Sequence, residues 1–282
     1  MTWFGIIKKA ESILKKEYQE TYKQELYSVL KFCFGMSKID LFMKKNEQVE
    51  NEDKEKLFSI INLRMQHVPL QYILGYWYFM DLKFKVGEGV LIPREDTSVL
   101  ATKSFEHLKN IKSPRIIDLC SGSGCIAIYL NKKLGISSEV YAAEVSKQAF
   151  SYLQKNIFLN ECKINAINKD IFKINDDFEN NFFDAVISNP PYIKTEDLNF
   201  LQEEVKKEPK IALNGGEDGL FFYRKISEMW TPKIKKGGIL AFEVGINQAL
   251  EVKNIMEIYG FKSVKIFKDI NGIDRTVLGQ KS

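Results

Sequence analysis

The sequence predicts an α/β protein in which a parallel sheet is covered by helices on both faces and is preceded by a small helical domain. Apolar residues recur at helical spacing up to about residue 66, with lysine and glutamate between them. After Pro114 the pattern changes to strand, loop and helix, and this unit repeats along the chain. The chain closes with two strand-like segments joined by Asp-Ile-Asn-Gly, a turn sequence typical of an antiparallel hairpin.

The N-terminal part of the chain, residues 1–70, is expected to fold as the helical domain. After a first helix that starts near Trp3, the periodicity predicts three further helices at 20–34, 38–45 and 51–66. Neither a glycine-rich loop nor strand-like alternation interrupts them. This part of the chain therefore offers no obvious site for binding a phosphate or a nucleotide.

Residues 71–92 are expected to form an extended β-hairpin linker, because short strand-like segments lie at Tyr76–Tyr78, Leu82–Val86 and Val90–Ile92, with Gly87 and Gly89 between the last two. The main domain would then occupy 93–282 and begin with a helix at 95–110. Its remaining elements are predicted as strands at 115–119, 139–144, 164–169, 183–188 and 238–244, helices at 125–134 and 146–160, and a hairpin at 262–268 and 275–279.

The composition excludes several classes of protein. A chain of 282 residues with 45% hydrophobic content can bury a full core, which excludes low-complexity disorder. Its net charge of +4 lacks the strong basic excess of many dedicated DNA-binding proteins. Four cysteines without a C-x-x-C pair, beside only two histidines, argue against a Cys/His metal site and against a His-based triad. We expect no metal, and reduced thiols.

The location of the protein is also suggested by its sequence. The first residues, MTWFGIIKKAES, become charged too early for a signal peptide. No apolar run approaches the roughly 18 residues that suggest a membrane span. We therefore expect a cytoplasmic protein without a membrane partner.

A glycine-rich loop, Asp118-Leu-Cys-Ser-Gly-Ser-Gly124, follows the first strand of the main domain and opens a helix. Its glycines let the backbone approach a ligand, and the helix N-terminus offers free N–H groups. About twenty residues later the second strand ends at Glu144, whose carboxylate can accept hydrogen bonds from both hydroxyls of a ribose. These features predict a nucleoside-bearing cofactor without identifying it, because the spacing from Gly122 to Ala127 also fits a nicotinamide dinucleotide.

Two further acids have two interpretations each. Asp170 follows the third strand and would either accept a hydrogen bond from an adenine amino group, with Ile171 packing on the ring, or cap a helix. Asp118 would either bind the amino group of the cofactor or hold the glycine-rich loop by hydrogen bonds. The sequence does not separate these roles.

The fourth strand of the main domain ends in Asn189-Pro-Pro-Tyr192. Two prolines fix the backbone and remove two N–H donors, so that the carbonyl groups here are unpaired and rigidly directed. With the side-chain carbonyl of Asn189, they form a cluster of acceptors suited to an amino group on an sp² carbon. Accepting both N–H hydrogens helps to free the nitrogen lone pair for attack. A proline turn that merely ends a strand is the structural alternative.

This motif resembles the signature of S-adenosylmethionine-dependent methyltransferases that act on amino groups of adenine, cytosine or glutamine amides. The other motifs narrow the resemblance to the PrmC/HemK family, the protein-(glutamine) methyltransferases of peptide chain release factors. The resemblance extends from about residue 65 to the C-terminus. It is carried by Pro69-Leu-Gln-Tyr-Ile-Leu-Gly75, Leu91-Ile-Pro-Arg-Glu-Asp-Thr97, the glycine-rich loop, Glu208-Pro209, Asn214-Gly-Gly-Glu-Asp-Gly219 and Gly272-Ile-Asp-Arg275.

The resemblance implies a class I methyltransferase fold, a Rossmann-like mixed sheet of seven strands behind a substrate-docking helical domain. It implies methylation of the glutamine side-chain amide in the Gly-Gly-Gln motif of release factors by a monomer without a dedicated nucleic-acid-binding domain. The implied cofactor site for S-adenosylmethionine, which leaves as S-adenosylhomocysteine, comprises Cys120, Ser121, Gly122, Ser123, Gly124, Glu144, Asp170, Ile171 and Asn189. The implied glutamine site comprises Asn189, Pro190, Pro191 and Tyr192, with Asn189, Pro190 and Tyr192 catalytic.

The sequence departs from the family pattern at three positions. Glu144 replaces the more usual Asp, Ser98 stands where Glu is common, and Cys120 takes the place of a glycine. None of them belongs to the acceptor cluster, so cofactor affinity rather than reaction type would change. The alternatives are a DNA or RNA amino-methyltransferase using the same motif, a non-catalytic binding module, and a nicotinamide enzyme, for which nothing after the fourth strand supplies a hydride-transfer site.

Overall fold

The computed structural model describes residues 1–282, which divide into two compact units. The first, here called the helical unit, comprises Met1–Gly75 and the short segment Glu203–Lys207. The second, the sheet unit, comprises Tyr76–Gln202 and Glu208–Ser282. The sequence placed the end of the helical domain at residue 70 and did not anticipate the contribution of the distant segment. None of the helices is both long enough and apolar enough to cross a membrane.

The helical unit is built from helices that the periodicity of the sequence locates closely. Thr2 caps the first helix by accepting from the Gly5 N–H, and Ser37 and Asp40 form a capping box at the third. The last helix of the unit corrects one prediction, because residues 71–74 are helical where an extended linker was expected. The helices are α1 (Trp3–Tyr18), α2 (Tyr22–Phe34), α3 (Lys38–Met43), α4 (Asn51–Met65) and α5 (Leu70–Leu74).

A buried arginine holds the distant segment in the helical unit. The side chain of Arg64 is only 2% exposed and pairs with Glu25 and, at 2.7 Å, with Glu204. Its guanidinium also donates to the carbonyl of Val68. A buried charge is tolerated only when it is paired and hydrogen-bonded, so these contacts explain why Glu203–Lys207 belongs to this unit.

The sheet unit begins with a hairpin of β1 (Tyr76–Phe79) and β2 (Leu82–Lys85), which pair with each other as an antiparallel two-stranded sheet. The expected third extended segment, at Val90–Ile92, joins no sheet. The helices that follow are α6 (Thr97–Leu108), α7 (Cys125–Leu134), α8 (Lys147–Leu159), α9 (Ile171–Ile174), α10 (Phe221–Trp230) and α11 (Ala249–Ile258).

The main sheet confirms the predicted fold class. It has seven strands in the order β5-β4-β3-β6-β7-β9-β8. Strands β3 to β7 run parallel to one another, and β9 pairs antiparallel with both β7 and the edge strand β8. The strands are β3 (Arg115–Leu119), β4 (Glu139–Ala143), β5 (Ile164–Ile167), β6 (Phe183–Ser188), β7 (Ile234–Glu243), β8 (Phe261–Lys268) and β9 (Asp274–Lys281).

Alternate residues of the central strands supply two hydrophobic cores, one on each face of the sheet. Ile116 and Ile239 belong to the core beneath α6, α7 and α8, whereas their neighbours Ile117 and Leu240 belong to the core beneath α9, α10 and α11. The strand order reverses between β3 and β6. In open α/β sheets, ligands bind in the crevice outside the carboxyl ends of the strands at such a reversal.

Candidate active site

The five parallel strands deliver polar side chains to one edge of the sheet. Cys120 follows β3, Glu144 follows β4, Asp170 lies beyond β5, Asn189 follows β6, and Glu243 is the last residue of β7. A cavity of about 280 Å³ opens at this edge and is lined by the first four of them. The structure thus brings the ends of β3 to β6 together around one cavity, as the sequence predicted for a ligand site.

Most of the predicted site residues line the cavity. Those that do so are Cys120, Ser121, Gly122, Ser123, Glu144, Asp170, Ile171, Asn189 and Pro191. Gly124, Pro190 and Tyr192 are not among its lining residues. Gly124 instead precedes α7 with φ of +83°, where an added Cβ would collide with the side chain of Leu153. It is required for packing rather than for contact with a ligand.

Glu144 is a buried carboxylate that lines the cavity. It is only 7% exposed, and its two oxygens accept from the backbone N–H of Gly122 at 2.9 Å and of Ser146 at 2.8 Å. Burial raises its pKa, while these N–H groups favour the charged form. Each carboxylate oxygen has a second lone pair, so both remain able to accept from a hydroxyl. The arrangement fits a vicinal diol such as that of ribose.

The glycine-rich loop explains one departure from the family pattern. Cys120 adopts φ of +60°, in the left-handed region that favours glycine. The glycine common at this position in the family therefore has a conformational reason, and Cys120 bears the strain instead. Gly122 has φ of +54° with open space around the position of a Cβ. The backbone of the loop is thus accessible from the cavity.

The structure clarifies the two acids with open roles. Oδ1 of Asp170 accepts from the Phe172 N–H at 2.9 Å and so caps α9, while Asp170 and the buried Ile171 also line the cavity. Capping and contact with a ligand are therefore compatible. Asp118 is 1% exposed and does not line the cavity; its Oδ2 accepts from the Ala127 N–H at 3.2 Å. This favours the loop-holding role, and burial raises the pKa of Asp118 to about 8.

The acceptor motif is fixed at both of its ends. Nδ2 of Asn189 donates to Oγ1 of Thr97 at 3.3 Å. The other atom of the same amide, Oδ1, remains as an acceptor. The hydroxyl of Tyr192 donates to Oε1 of Glu243 at 3.4 Å. Burial raises the pKa of Tyr192, so its hydroxyl stays protonated at neutral pH.

The backbone after the acceptor motif is held by a second motif. Nε2 of Gln248 donates to the carbonyl of Tyr192 at 3.0 Å. A Cβ on Gly215 would lie 2.6 Å from the Cα of Tyr192, and the Gly215 N–H donates to the carbonyl of Ile193 at 2.7 Å. The glycines of residues 214–219 therefore permit a close backbone approach, which accounts for that motif.

Two motifs that are distant in the sequence form one wall of the cavity. The carboxylate of Glu208, 3% exposed, accepts from the Ile92 N–H at 3.0 Å and pairs with the guanidinium of Arg94. Ile92, Arg94, Pro209 and Ile211 all line the cavity. The Glu208-Pro209 motif thus shapes this wall of the cavity, because Glu208 holds the backbone at Ile92 and the side chain of Arg94.

Sequence reasoning missed two residues of this site, Thr97 and Glu243. Thr97 lies within a quoted motif without an assigned role, and it is 1% exposed. Glu243 is also 1% exposed and is the only acid in the apolar run Ile239–Val244. A single acid at the end of a buried parallel strand was the signal that could have identified it.

Solved structures with the same fold support the architecture. The catalytic domain of hMettl16 covers 92% of this chain and 91% of its own length, with a TM-score of 0.58 and 15% identity. The 16S rRNA N2 methyltransferase RsmC of T. thermophilus covers 73% of this chain and 50% of its own, with a TM-score of 0.52 and 16% identity. At these identities the likeness shows the fold alone.

Relatives of similar length identify the family. The PrmC N-terminal domain model matches residues 6–75, and the methyltransferase small domain model matches residues 97–226. A release factor glutamine methyltransferase from Thermodesulfovibrio yellowstonii is 39% identical, covering 92% of each chain. One from Clostridium botulinum is 35% identical, covering 95% of each. The chain therefore belongs to the PrmC/HemK family of release factor glutamine methyltransferases.

Proposed function

We propose that this enzyme transfers a methyl group from S-adenosylmethionine to the side-chain amide nitrogen of the glutamine in the Gly-Gly-Gln motif of peptide chain release factors. The observation that supports this most strongly is that Asn189, whose Nδ2 donates to Thr97, and Glu144, whose oxygens accept from two backbone N–H groups, line the same cavity. Such a substrate places the enzyme in the cytoplasm. Membership of a methyltransferase family sets aside the nicotinamide-dependent and non-catalytic alternatives.

The residues Glu144, Asp170 and Ile171, which line one part of the cavity, fit the proposed cofactor. S-adenosylmethionine, when bound, supplies an electrophilic methyl group on a positively charged sulfur. Glu144 would accept hydrogen bonds from the ribose hydroxyls through the lone pairs that Gly122 and Ser146 leave free. Ile171 offers an apolar side chain to the adenine ring, and Asp170 keeps a carboxylate oxygen beside it.

The acceptor motif would position the glutamine. Oδ1 of Asn189 accepts one amide hydrogen, and the carbonyl of Pro190 accepts the other. Held in this way, the glutamine nitrogen would direct its lone pair at the methyl group that S-adenosylmethionine would supply. The increase in the rate of methyl transfer would come from acceptors that are fixed before the reaction begins. No histidine is needed, and the cavity contains none.

The helical unit would dock the release factor. The helix α3 exposes three large apolar side chains, Ile39, Phe42 and Met43. Lysines flank them at positions 38, 44 and 45. Contiguous exposed apolar side chains on a small surface are typical of a site that binds another protein, and we assign α3 to contact with the release factor outside its Gly-Gly-Gln loop.

The proposal is tested by incubating the purified enzyme with methyl-labelled S-adenosylmethionine and a bacterial release factor. Tandem mass spectrometry should locate one added methyl group on the glutamine of the Gly-Gly-Gln peptide. A release factor whose motif glutamine is replaced by alanine serves as the matched control and should remain unlabelled. Methylation of DNA or RNA without labelling of the release factor would instead support an amino-methyltransferase of nucleic acids.

A further inference from the structure

An asparagine that acts as a hydrogen-bond acceptor has an orientation problem. Rotating its side-chain amide by half a turn exchanges Oδ1 and Nδ2 with almost no change of shape. In one orientation Asn189 presents an acceptor to the glutamine amide, and in the other it presents N–H donors to N–H donors. A rigid backbone cannot choose between them, so the choice must come from a neighbour of the amide.

Thr97 is that neighbour. Its Oγ1 lies 3.3 Å from Nδ2 of Asn189, at the first residue of α6, and its side chain is 1% exposed. A hydroxyl alone does not decide the orientation, because it can donate to Oδ1 as readily as it accepts from Nδ2. The orientation is decided only if the hydroxyl hydrogen of Thr97 is already committed to another acceptor.

Glu243 provides the acceptor. Its carboxyl lies at the end of β7, is 1% exposed, and has one oxygen, Oε2, without a hydrogen-bond partner. Burial raises the pKa of this carboxyl, and hydrogen bonding from the Thr97 side chain lowers it. A buried carboxyl oxygen with a spare lone pair can take the hydrogen of a neighbouring hydroxyl. Oγ1 of Thr97 is then left as an acceptor, which is what Nδ2 of Asn189 requires.

The same carboxyl also reaches the other end of the acceptor motif. Its Oε1 accepts from the hydroxyl of Tyr192 at 3.4 Å. The start of α6 is anchored independently, because Arg275 pairs with Asp96 at 3.2 Å, next to Thr97. Glu243 therefore lies behind both Asn189 and Tyr192 without lining the cavity itself.

We propose that Thr97 and Glu243 are positioning residues that hold the amide of Asn189 in the one orientation that presents Oδ1 to the substrate glutamine. This inference rests on the proposed function for its catalytic consequence, but the orientation of the amide is a property of the free enzyme. It is therefore measurable with and without a substrate.

A double-mutant cycle tests the catalytic consequence. Thr97→Val removes the hydroxyl with little change of shape, and we expect kcat on release factor to fall about tenfold, the effect of one hydrogen bond, while the Kd for S-adenosylmethionine stays the same. Thr97→Ser should restore most of the rate. In the Asn189→Asp background either oxygen accepts, so Thr97→Val should there cost less than about twofold. An equal loss in both backgrounds would show a merely structural role and overturn the proposal.

Ser104 offers the matched control for loss of a buried hydroxyl. It lies on the same helix, is fully buried, and its Oγ has no partner. Ser104→Ala should leave kcat unchanged. The substrate-free readout is the pair of side-chain N–H signals of Asn189 in a ¹H–¹⁵N spectrum, assigned by their loss in Asn189→Asp. Thr97→Val should shift them and Ser104→Ala should not; signals unmoved by Thr97→Val would overturn the proposal even if no release factor were methylated.

Discussion

Buried polar side chains are concentrated in the sheet unit, and the helical unit carries a cluster of exposed apolar side chains on α3. The sheet unit gathers buried polar side chains at one edge, where Glu144 and Glu243 are 7% and 1% exposed. The helical unit buries its apolar side chains but leaves Ile39 and Phe42 on α3 at 74% and 68% exposure. Chemistry needs polar groups that are fixed and shielded before the substrate arrives, whereas docking needs apolar surface that a partner can cover. We propose that this difference reflects a division of labour, with chemistry in the sheet unit and docking in the helical unit.

The largest effect is expected in the sheet unit, at Asn189. Asn189→Ala removes one fixed acceptor, and by analogy with loss of one preorganised hydrogen bond, single-turnover rates on release factor should fall by roughly 10²–10³-fold. Binding of S-adenosylmethionine should change little. Asn189→Asp keeps an acceptor oxygen and should be milder. Melting temperatures measured beside the rates provide the control, and an Ala variant that turns over like the parent would contradict the assigned role.

The next effect concerns the pH dependence of stability. Burial raises the pKa of Glu243 to about 7, with Asp96 adding to the rise and with Thr97, Arg275 and Tyr192 opposing it. Between about pH 4.5 and pH 7 the folded state keeps a proton that the unfolded state releases, so stability falls as the pH rises through this window. Above the window the loss approaches about 3 kcal/mol at 1.36 kcal/mol per pKa unit.

Glu243→Gln should remove that loss, since the amide carries no charge at any of these pH values. Its new NH₂ group would also lie opposite Thr276 on β9, whose buried Oγ1 has no partner. The difference in Tm between variant and parent should therefore grow from pH 5 to pH 8. Asp118, with a pKa of about 8, contributes in the same direction to both proteins and cancels in the difference. A difference in Tm that does not depend on pH would refute the assignment.

Glu243 also shows how far the sequence could predict this site. The positions of Glu144, Asp170 and Asn189 were predictable because parallel strands carry their carboxyl ends to one edge, an argument that needs only the order of the elements. Glu243 obeys the same rule, but its apolar neighbours made it look like part of a core strand. The role that we propose for Glu243 depends on the hydroxyl of Thr97, which lies far away in the chain.

The boundary of the helical unit shows a second limit of sequence reasoning. Arg64 and Glu204, which are 140 positions apart, form the ion pair that brings Glu203–Lys207 into this unit. Neither hydrophobic periodicity nor a turn pattern predicts an ion pair between residues so far apart in the sequence. The helices themselves were predictable, because amphipathic spacing and capping residues are local properties.

A smaller effect is expected on the cofactor side of the sheet unit. Glu144→Ala should leave two ribose hydroxyls and two backbone N–H groups poorly paired. The binding of S-adenosylmethionine should therefore weaken by roughly 1–3 kcal/mol. Glu144→Gln keeps one acceptor oxygen and should lose less. Isothermal titration calorimetry measures both. Unchanged affinity in the Ala variant would rule out the diol assignment, and the rate at saturating cofactor should fall less than in Asn189→Ala.

The smallest effect is expected in the helical unit, on α3. Burying a side chain of the size of Phe contributes about 1.5–3 kcal/mol when it is complete, and an exposed residue at a docking surface recovers part of this. Phe42→Ser should therefore raise KM for whole release factor about tenfold, equivalent to 1.4 kcal/mol. The rate on a short peptide that carries only the Gly-Gly-Gln motif should not change, because we assign α3 to contact with the release factor outside that motif.

Phe158 provides the matched control, since it is 87% exposed on α8 of the sheet unit. Phe158→Ser removes an even more exposed aromatic ring from the other unit and should leave the KM values for both substrates unchanged. The capping box of Ser37 and Asp40 is untouched by Phe42→Ser, so the helix should persist in circular dichroism. Equal values of KM for the two variants would mean that the exposed ring on α3 does not contact the release factor, and the division between a chemical unit and a docking unit would then lose its support.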